Sequence, residues 1–147
     1  MSIREHVPPI DPSAPVDQEL TKTVNDAGSW GWFVGVQMVK STPGDVRGRL
    51  AFDSGKCTTG DIMHGGAIMG FADVVGGWCT FLNLPEDAKG TATIESKTNF
   101  FRAIRGGNVH SITRPLHKGR RTVVVDTELY DDDGKLVARV TQTQAVL

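Results

Sequence analysis

Cysteine is scarce in this chain. Cys57 and Cys79 are the only two among 147 residues, which excludes a scaffold built on disulfides. Cys79 reads as a small buried hydrophobe on a helix, and Cys57 as part of a polar loop. Charge of one sign is also lacking. The formal net value is −1, which points away from nucleic acid and from anionic membrane as general partners. No apolar run approaches the roughly 18 residues of a membrane-spanning helix. Residues 1–20 are polar and carry Pro8, Pro9, Pro12 and Pro15, so no secretory leader is legible. A soluble cytoplasmic protein is the expectation. His6, His64, His110 and His117 show no metal-ligand spacing. Neither a serine nucleophile elbow nor a phosphate-binding P-loop is present. Neither a metal nor a separate cofactor is expected.

What the chain does contain suits one domain with a core of its own. Residues 1–16, rich in proline, read as an extended or disordered arm. Residues 17–147 read as a single domain, opening on a short helix over 17–27 with Asp17 as N-cap. Alternation of apolar residues predicts a strand through Trp32, Val34, Val36 and Met38. A turn at Thr42–Asp45 leads to a second strand from Val46 to Phe52. After a polar loop over 53–61 comes a long helix over 66–82. Four further strands, 91–102, 108–117, 121–130 and 136–146, are expected to form a meander. Strands and helices do not alternate, which argues against a parallel sheet. The fold class is α+β, an antiparallel β-sheet wrapped around a long central helix.

That helix is the unusual element. Asp73 is the only formally charged residue between Asp61 and Glu86. At 3.6 residues per turn, Ile68, Phe71, Val75, Trp78 and Leu82 form one stripe. Gly66, Met69, Gly70, Asp73, Gly76 and Gly77 form another. The second stripe has almost no side chains and one carboxylate. Interior helical glycines each cost about 1 kcal/mol relative to alanine, so a close approach must require them. The helix is expected to be buried on nearly all sides, and a lone carboxylate there is costly unless used or paired. His64-Gly65-Gly66 opens the helix. The first N–H groups have no intrahelical partner, and the glycines leave them open to an anion or a polarised carbonyl oxygen. A carbonyl held there is expected to lie between that donor and Asp73 of the same helix. A plain helix cap or core residue is the alternative role for His64.

The order of elements, His64-Gly65-Gly66, Asp73 seven residues on, and the hairpin His117-Lys118-Gly119-Arg120-Arg121-Thr122-Val123-Val124 together resemble the hotdog-fold acyl-CoA thioesterases over residues 30–147. The phenylacetate-degradation subgroup is the nearest likeness. The resemblance implies that Asp73 is the catalytic nucleophile or general base. It implies that the Gly65 N–H polarises the thioester carbonyl and that His64 orders the site. A hydroxyl residue on the strand after the helix, contributed across a dimer interface, positions water; Thr93 is the candidate, with Thr91 its neighbour. The family often carries asparagine six residues before the histidine, where this chain has Thr58. The subunits of such proteins associate, so a homodimer or homotetramer is implied. The same chemistry is reasonable on its own terms, since a thiolate leaves readily and needs only carbonyl polarisation and an activated attacking group.

Lys97, Arg102, Arg105, Lys118, Arg120 and Arg121 gather around the later strands and turns. Phosphates of coenzyme A suit them by charge-assisted hydrogen bonds; a solvated hairpin tip is the plainer alternative. Gly66, Thr58, Phe100, Arg102, Lys118, Gly119, Arg120 and Arg121 are the candidate substrate contacts, coenzyme A being part of the substrate. Phe100 and Phe101 are adjacent, so a strand would turn only one into a pocket and the other into the core. Met69 and Trp78 read as packing residues. A non-catalytic acyl-CoA binding or sensor protein is the main alternative function; a hydratase lacks its usual histidine–acid setting.

Overall fold

The structure is a computed structural model and describes residues 9–147. Helix α1 (Gln18–Asp26) starts where its sequence signal lies: the Asp17 side chain accepts from the Leu20 N–H at 2.9 Å. Helix α2 (Ser29–Val34) follows, then strands β1 (Val36–Thr42) and β2 (Asp45–Ala51). The loop after β2 holds a 3₁₀ turn (Ser54–Lys56) and a two-residue ladder of β3 (Cys57–Thr58) with β4 (Ile62–Met63). Helix α3 (Gly65–Phe81) is the long helix. Strands β5 (Thr91–Phe100), β6 (Asn108–Lys118), β7 (Thr122–Tyr130) and β8 (Leu136–Val146) complete the chain.

The six longer strands form one antiparallel sheet in the order β1-β2-β6-β7-β8-β5. Helix α3 touches all six. Its stripe through Ile68, Phe71, Ala72, Val75 and Cys79 is buried against inward residues of the sheet such as Met38, Leu50, Val109, Val125 and Val140. Each large apolar side chain removed from water there contributes about 1.5–3 kcal/mol.

Three expectations need correction. Trp32, Phe33 and Val34 are helical, and the strand begins only at Val36. Gly35, at φ 86, is the left-handed cap whose N–H bonds Gly31, so the chain ends a helix here before it extends. Strands 5 to 8 are not a simple meander: β5 pairs with β8, and residues 101–107 cross three strand spacings, about 14 Å, to reach β6. Gly107, at φ 68, is part of that crossing; a Cβ on it would fall 2.2 Å from the Asp132 carboxylate that binds the Asn108 N–H. Finally, α3 is covered by the sheet along one side only. Met69 and Phe81 are exposed on the other, because one six-stranded layer covers half a helix.

Of the N-terminal arm, residues 1–8 lie outside the described residues. Residues 9–16 have neither helix nor strand, yet they dock on the sheet: Arg49 Nη2 donates to the carbonyls of Pro12 and Ala14, and Ile10 is buried.

Candidate active site

His64 caps α3, its Nδ1 accepting from the Gly66 N–H at 2.8 Å. That bond explains why Gly66 has no side chain, since a Cβ there would sit 2.9 Å from the ring nitrogen. It also leaves the Gly65 N–H as the donor of the first turn with no acceptor among the described residues. A donor at the positive end of a helix is suited to an oxygen that carries or develops negative charge. Around it, Thr58, Ile62, Phe100, Phe101 and Arg102 line a cavity of 420 Å³ that Gly65 and Ile68 floor. Thr58, Gly65, Phe100 and Arg102 are thus brought together. Both phenylalanines face this cavity, which corrects the expectation that one is core. The strand ends at Phe100, and the N–H groups of Phe101 and Arg102 both turn to the Val137 carbonyl, so alternation stops.

His64 and Gly66 face a second, apolar cavity of 300 Å³ with Trp30, Phe33, Lys56 and Cys57. The Trp30 and Phe33 rings stack at 5.3 Å, and Trp30 lies over Gly70, where a Cβ would meet the indole at 3.2 Å.

Asp73 lies two turns further along α3, in a third cavity of 260 Å³ with Val24, Val74, Gly77, Trp78 and Phe81. Trp78 therefore lines a cavity as well as packing; its Nε1 donates to Ser41 at 2.8 Å. The carboxylate is half-buried and has no cation partner among the described residues. It is held instead by neutral donors. Thr93 Oγ1 donates to Asp73 Oδ1 at 2.9 Å and Gln142 Nε2 donates to the same oxygen at 2.7 Å. Gln144 Nε2 donates in turn to Thr93 Oγ1 at 2.9 Å. Thr93 thus reaches Asp73 within one chain, whereas a hydroxyl contributed across an interface was expected. Thr91 is bonded elsewhere, to the Ala145 carbonyl at 2.8 Å and to Gln144 Oε1 at 3.3 Å.

Gln142 and Gln144 were missed by the sequence reading. The signal was there: they share the phase of Val140 and Ala138 on β8, the buried phase, where an amide has no reason to be unless it is bonded.

The Gly65 donor and Asp73 of one chain do not converge. Eight residues along a continuous helix span about 12 Å, and the first N–H groups point out of the helix end, away from its body. A carbonyl bound at Gly65 lies farther still from that chain's own Asp73. This overturns the expectation that one carbonyl sits between the two groups of a single helix. The basic residues divide the same way. Lys118, Gly119, Arg120 and Arg121 form the β6–β7 turn, beside the Thr91 end of β5, while Arg102 follows the other end. The side chains of Lys118, Arg120, Arg121 and Arg102 are exposed and make no hydrogen bond or ion pair among the described residues. Arg105 Nη1 is bonded to the Gly60 carbonyl at 2.8 Å. Gly119 is tied into its turn by a bond from its N–H to Thr122 O at 2.9 Å.

Known proteins fit this arrangement. A protein of Saccharolobus solfataricus named as an esterase is 29% identical over 114 residues, 78% of this chain and 75% of that one. The 1,4-dihydroxy-2-naphthoyl-CoA hydrolase of Escherichia coli is 31% identical over 86 residues, 58% of this chain and 62% of the enzyme. A solved structure of a mutant thioesterase from Pseudomonas aeruginosa superposes with a TM-score of 0.80 at 26% identity, covering 89% of this chain and 94% of that one. The sheet and central helix are those of the hotdog thioesterases. The family model described as the thioesterase superfamily matches residues 60–138, from the His64 loop through α3 to the start of β8. The chain belongs to the thioesterase superfamily, whose reaction is hydrolysis of a thioester.

Proposed function

We propose that this protein hydrolyses an acyl-CoA to a free acid and coenzyme A, with Asp73 supplying the attacking group. The observation that carries the reading is the state of Asp73: a half-buried carboxylate in an apolar cavity, oriented by two neutral donors and paired with no cation among the described residues. A structural carboxylate in such a place is normally neutralised by an ion pair. One that is oriented but left without a cation keeps a lone pair free for chemistry.

In the reaction, the thioester oxygen accepts from the Gly65 N–H, which polarises the carbonyl. Asp73 acts in one of two ways. As a nucleophile it bonds to the carbonyl carbon, the C–S bond breaks, and water then hydrolyses the mixed anhydride. As a base it takes a proton from water while the water oxygen bonds to the carbon. The tetrahedral species then expels the thiolate, which regains that proton. Both routes consume one water and give the acid and the thiol.

Since Gly65 and Asp73 of one helix point apart, the productive pair comes from two copies, Gly65 of one protomer facing Asp73 of its partner. A homodimer is the smallest assembly that completes the site, and a homotetramer doubles it. The exposed guanidinium and ammonium groups of Arg102, Lys118, Arg120 and Arg121 suit the phosphates of coenzyme A. The coenzyme A thioester named for the Escherichia coli relative supports this substrate class.

The test is release of thiol from a panel of aryl-, arylacetyl- and medium-chain acyl-CoAs by the purified protein. Turnover of at least one member is expected. Binding of acyl-CoA with turnover of none would replace the reading with a sensor or carrier.

A further inference from the structure

Resting on that reading, we propose that Gln142 is a positioning residue for Asp73. With Thr93 it fixes Oδ1 and leaves Oδ2 as the oxygen that meets the thioester carbon or its water. Oδ1 accepts from Gln142 Nε2 at 2.7 Å and from Thr93 Oγ1 at 2.9 Å, and no described residue donates to Oδ2. Two donors on one oxygen, brought from two different strands, set both the rotation of the carboxylate and the direction of its free lone pairs.

Gln144 makes the arrangement directional. Thr93 has one hydroxyl proton, and Gln144 Nε2 donates to its oxygen at 2.9 Å. With that lone pair engaged, the Thr93 proton is directed to Asp73.

The placement of Gln142 runs against stability. It is fully buried, in the inward phase of β8 that it shares with Ala138, Val140 and Gln144, and its Oε1 has no hydrogen-bond partner among the described residues. A buried carbonyl left unpaired is costly, and leucine would fill the same space without that cost. Helix α3 also yields to it. A Cβ on Gly76, three residues beyond Asp73, would fall 1.8 Å from Gln142 Oε1. One of the unexplained helical glycines is therefore the space in which this amide lies. A helix and a strand both depart from their best local choice to keep one N–H on Asp73, as functional sites do.

The experiment compares wild type, Gln142→Leu, Asp73→Asn and the double variant on the best substrate of the acyl-CoA panel, with melting temperatures alongside. Gln142→Leu is expected to lower kcat/KM about 10- to 100-fold, the rate equivalent of one hydrogen bond to a charged group. The loss falls mainly in kcat, with the melting temperature not reduced. In the Asp73→Asn background the same change is expected to cost nothing further, because its effect passes through Asp73. Gly76→Ala is a second route to the same displacement. It strengthens the helix and crowds Gln142, so kcat falls while the fold is kept. Gln142→Leu or Gly76→Ala within about twofold of wild type would overturn the proposal, as would an equal loss in both Asp73 backgrounds. Wild type without turnover, or Asp73→Asn with full turnover, would bring down the thioesterase reading and this inference with it. An active wild type, an inactive Asp73→Asn and an active Gln142→Leu would bring down the inference alone.

Discussion

Thr93 and Asp73 stand 20 positions apart in the sequence and 2.9 Å apart in the fold, hydroxyl to carboxylate. Strand β5 is at the edge of the sheet and α3 lies across its face, so this bond ties the edge strand to the helix at the one charged position of that helix. Removing the hydroxyl while keeping its shape isolates the bond. Thr93→Val is expected to lower kcat about 10- to 100-fold, the worth of a hydrogen bond to a charged acceptor. Thr93→Ser keeps the hydroxyl and is expected to stay near wild type. Steady-state kinetics on one substrate decides between them, and equal activity of both variants would contradict the role.

His64 is tested through stability. Its ring accepts from the Gly66 N–H and satisfies one of the otherwise open donors of α3. Loss of such a cap costs about 1 kcal/mol, which for a domain of this size lowers the melting temperature by about 3 °C. His64→Ala is expected to show that drop in thermal unfolding, together with reduced turnover from a frayed first turn. An unchanged melting temperature would show that the cap contributes nothing.

Two copies can be made to complement each other. Asp73→Asn removes one half of the site, and Gly65→Val removes the other by driving a side chain into Phe100, whose ring a Cβ would meet at 3.0 Å. Each variant alone is expected to be inactive. Unfolded and refolded together in equal amounts, they give mixed dimers in which one site has both halves intact. Activity is then expected to return to about a quarter of wild type. No recovery, with mixed dimers shown to be present, would place the whole site in one chain.

Tyr130 gives a pH prediction that a single chromophore reports, because it is the only tyrosine. Burial first, and then its bond to Glu128 at 2.9 Å, push the phenol up to about 12. The folded chain holds this proton more tightly than the unfolded chain does. The stabilisation is therefore complete below the ordinary value of 10 and is lost as pH rises from there toward 12. Ultraviolet titration is expected to show ionisation near 12 coupled to loss of structure, and a free titration at 10 would contradict the burial.

Most strands, the short helix α1 and the long helix α3 were legible from alternation, turn residues and caps. Asp17 marked the start of α1 because local chemistry fixes it, its side chain accepting from the Leu20 N–H. The partner of β5 was not legible. A strand followed by Gly106-Gly107 looks like half of a hairpin, and only the competition among all six strands puts β8 beside it. Helix α2 was hidden because Trp-Phe-Val-Gly-Val satisfies either period over so short a run. At the candidate site, Asp73 and Gly65 were legible by type and setting, and Thr93 only through the family resemblance, with Thr91 beside it. Gln142 was not, since its meaning depends on which face of β8 meets α3, and that is settled by the register of strands distant in sequence.

The measurement that bears most directly on the account is kcat/KM of Asp73→Asn against wild type on the best acyl-CoA, with circular dichroism to confirm the fold. The amide fills the same space and can still accept from Thr93, but it can neither attack a carbonyl nor take a proton from water. A fall of about 100- to 10,000-fold with the fold intact is the result predicted for the acting carboxylate. Turnover equal to wild type would contradict it and remove Asp73 from the chemistry.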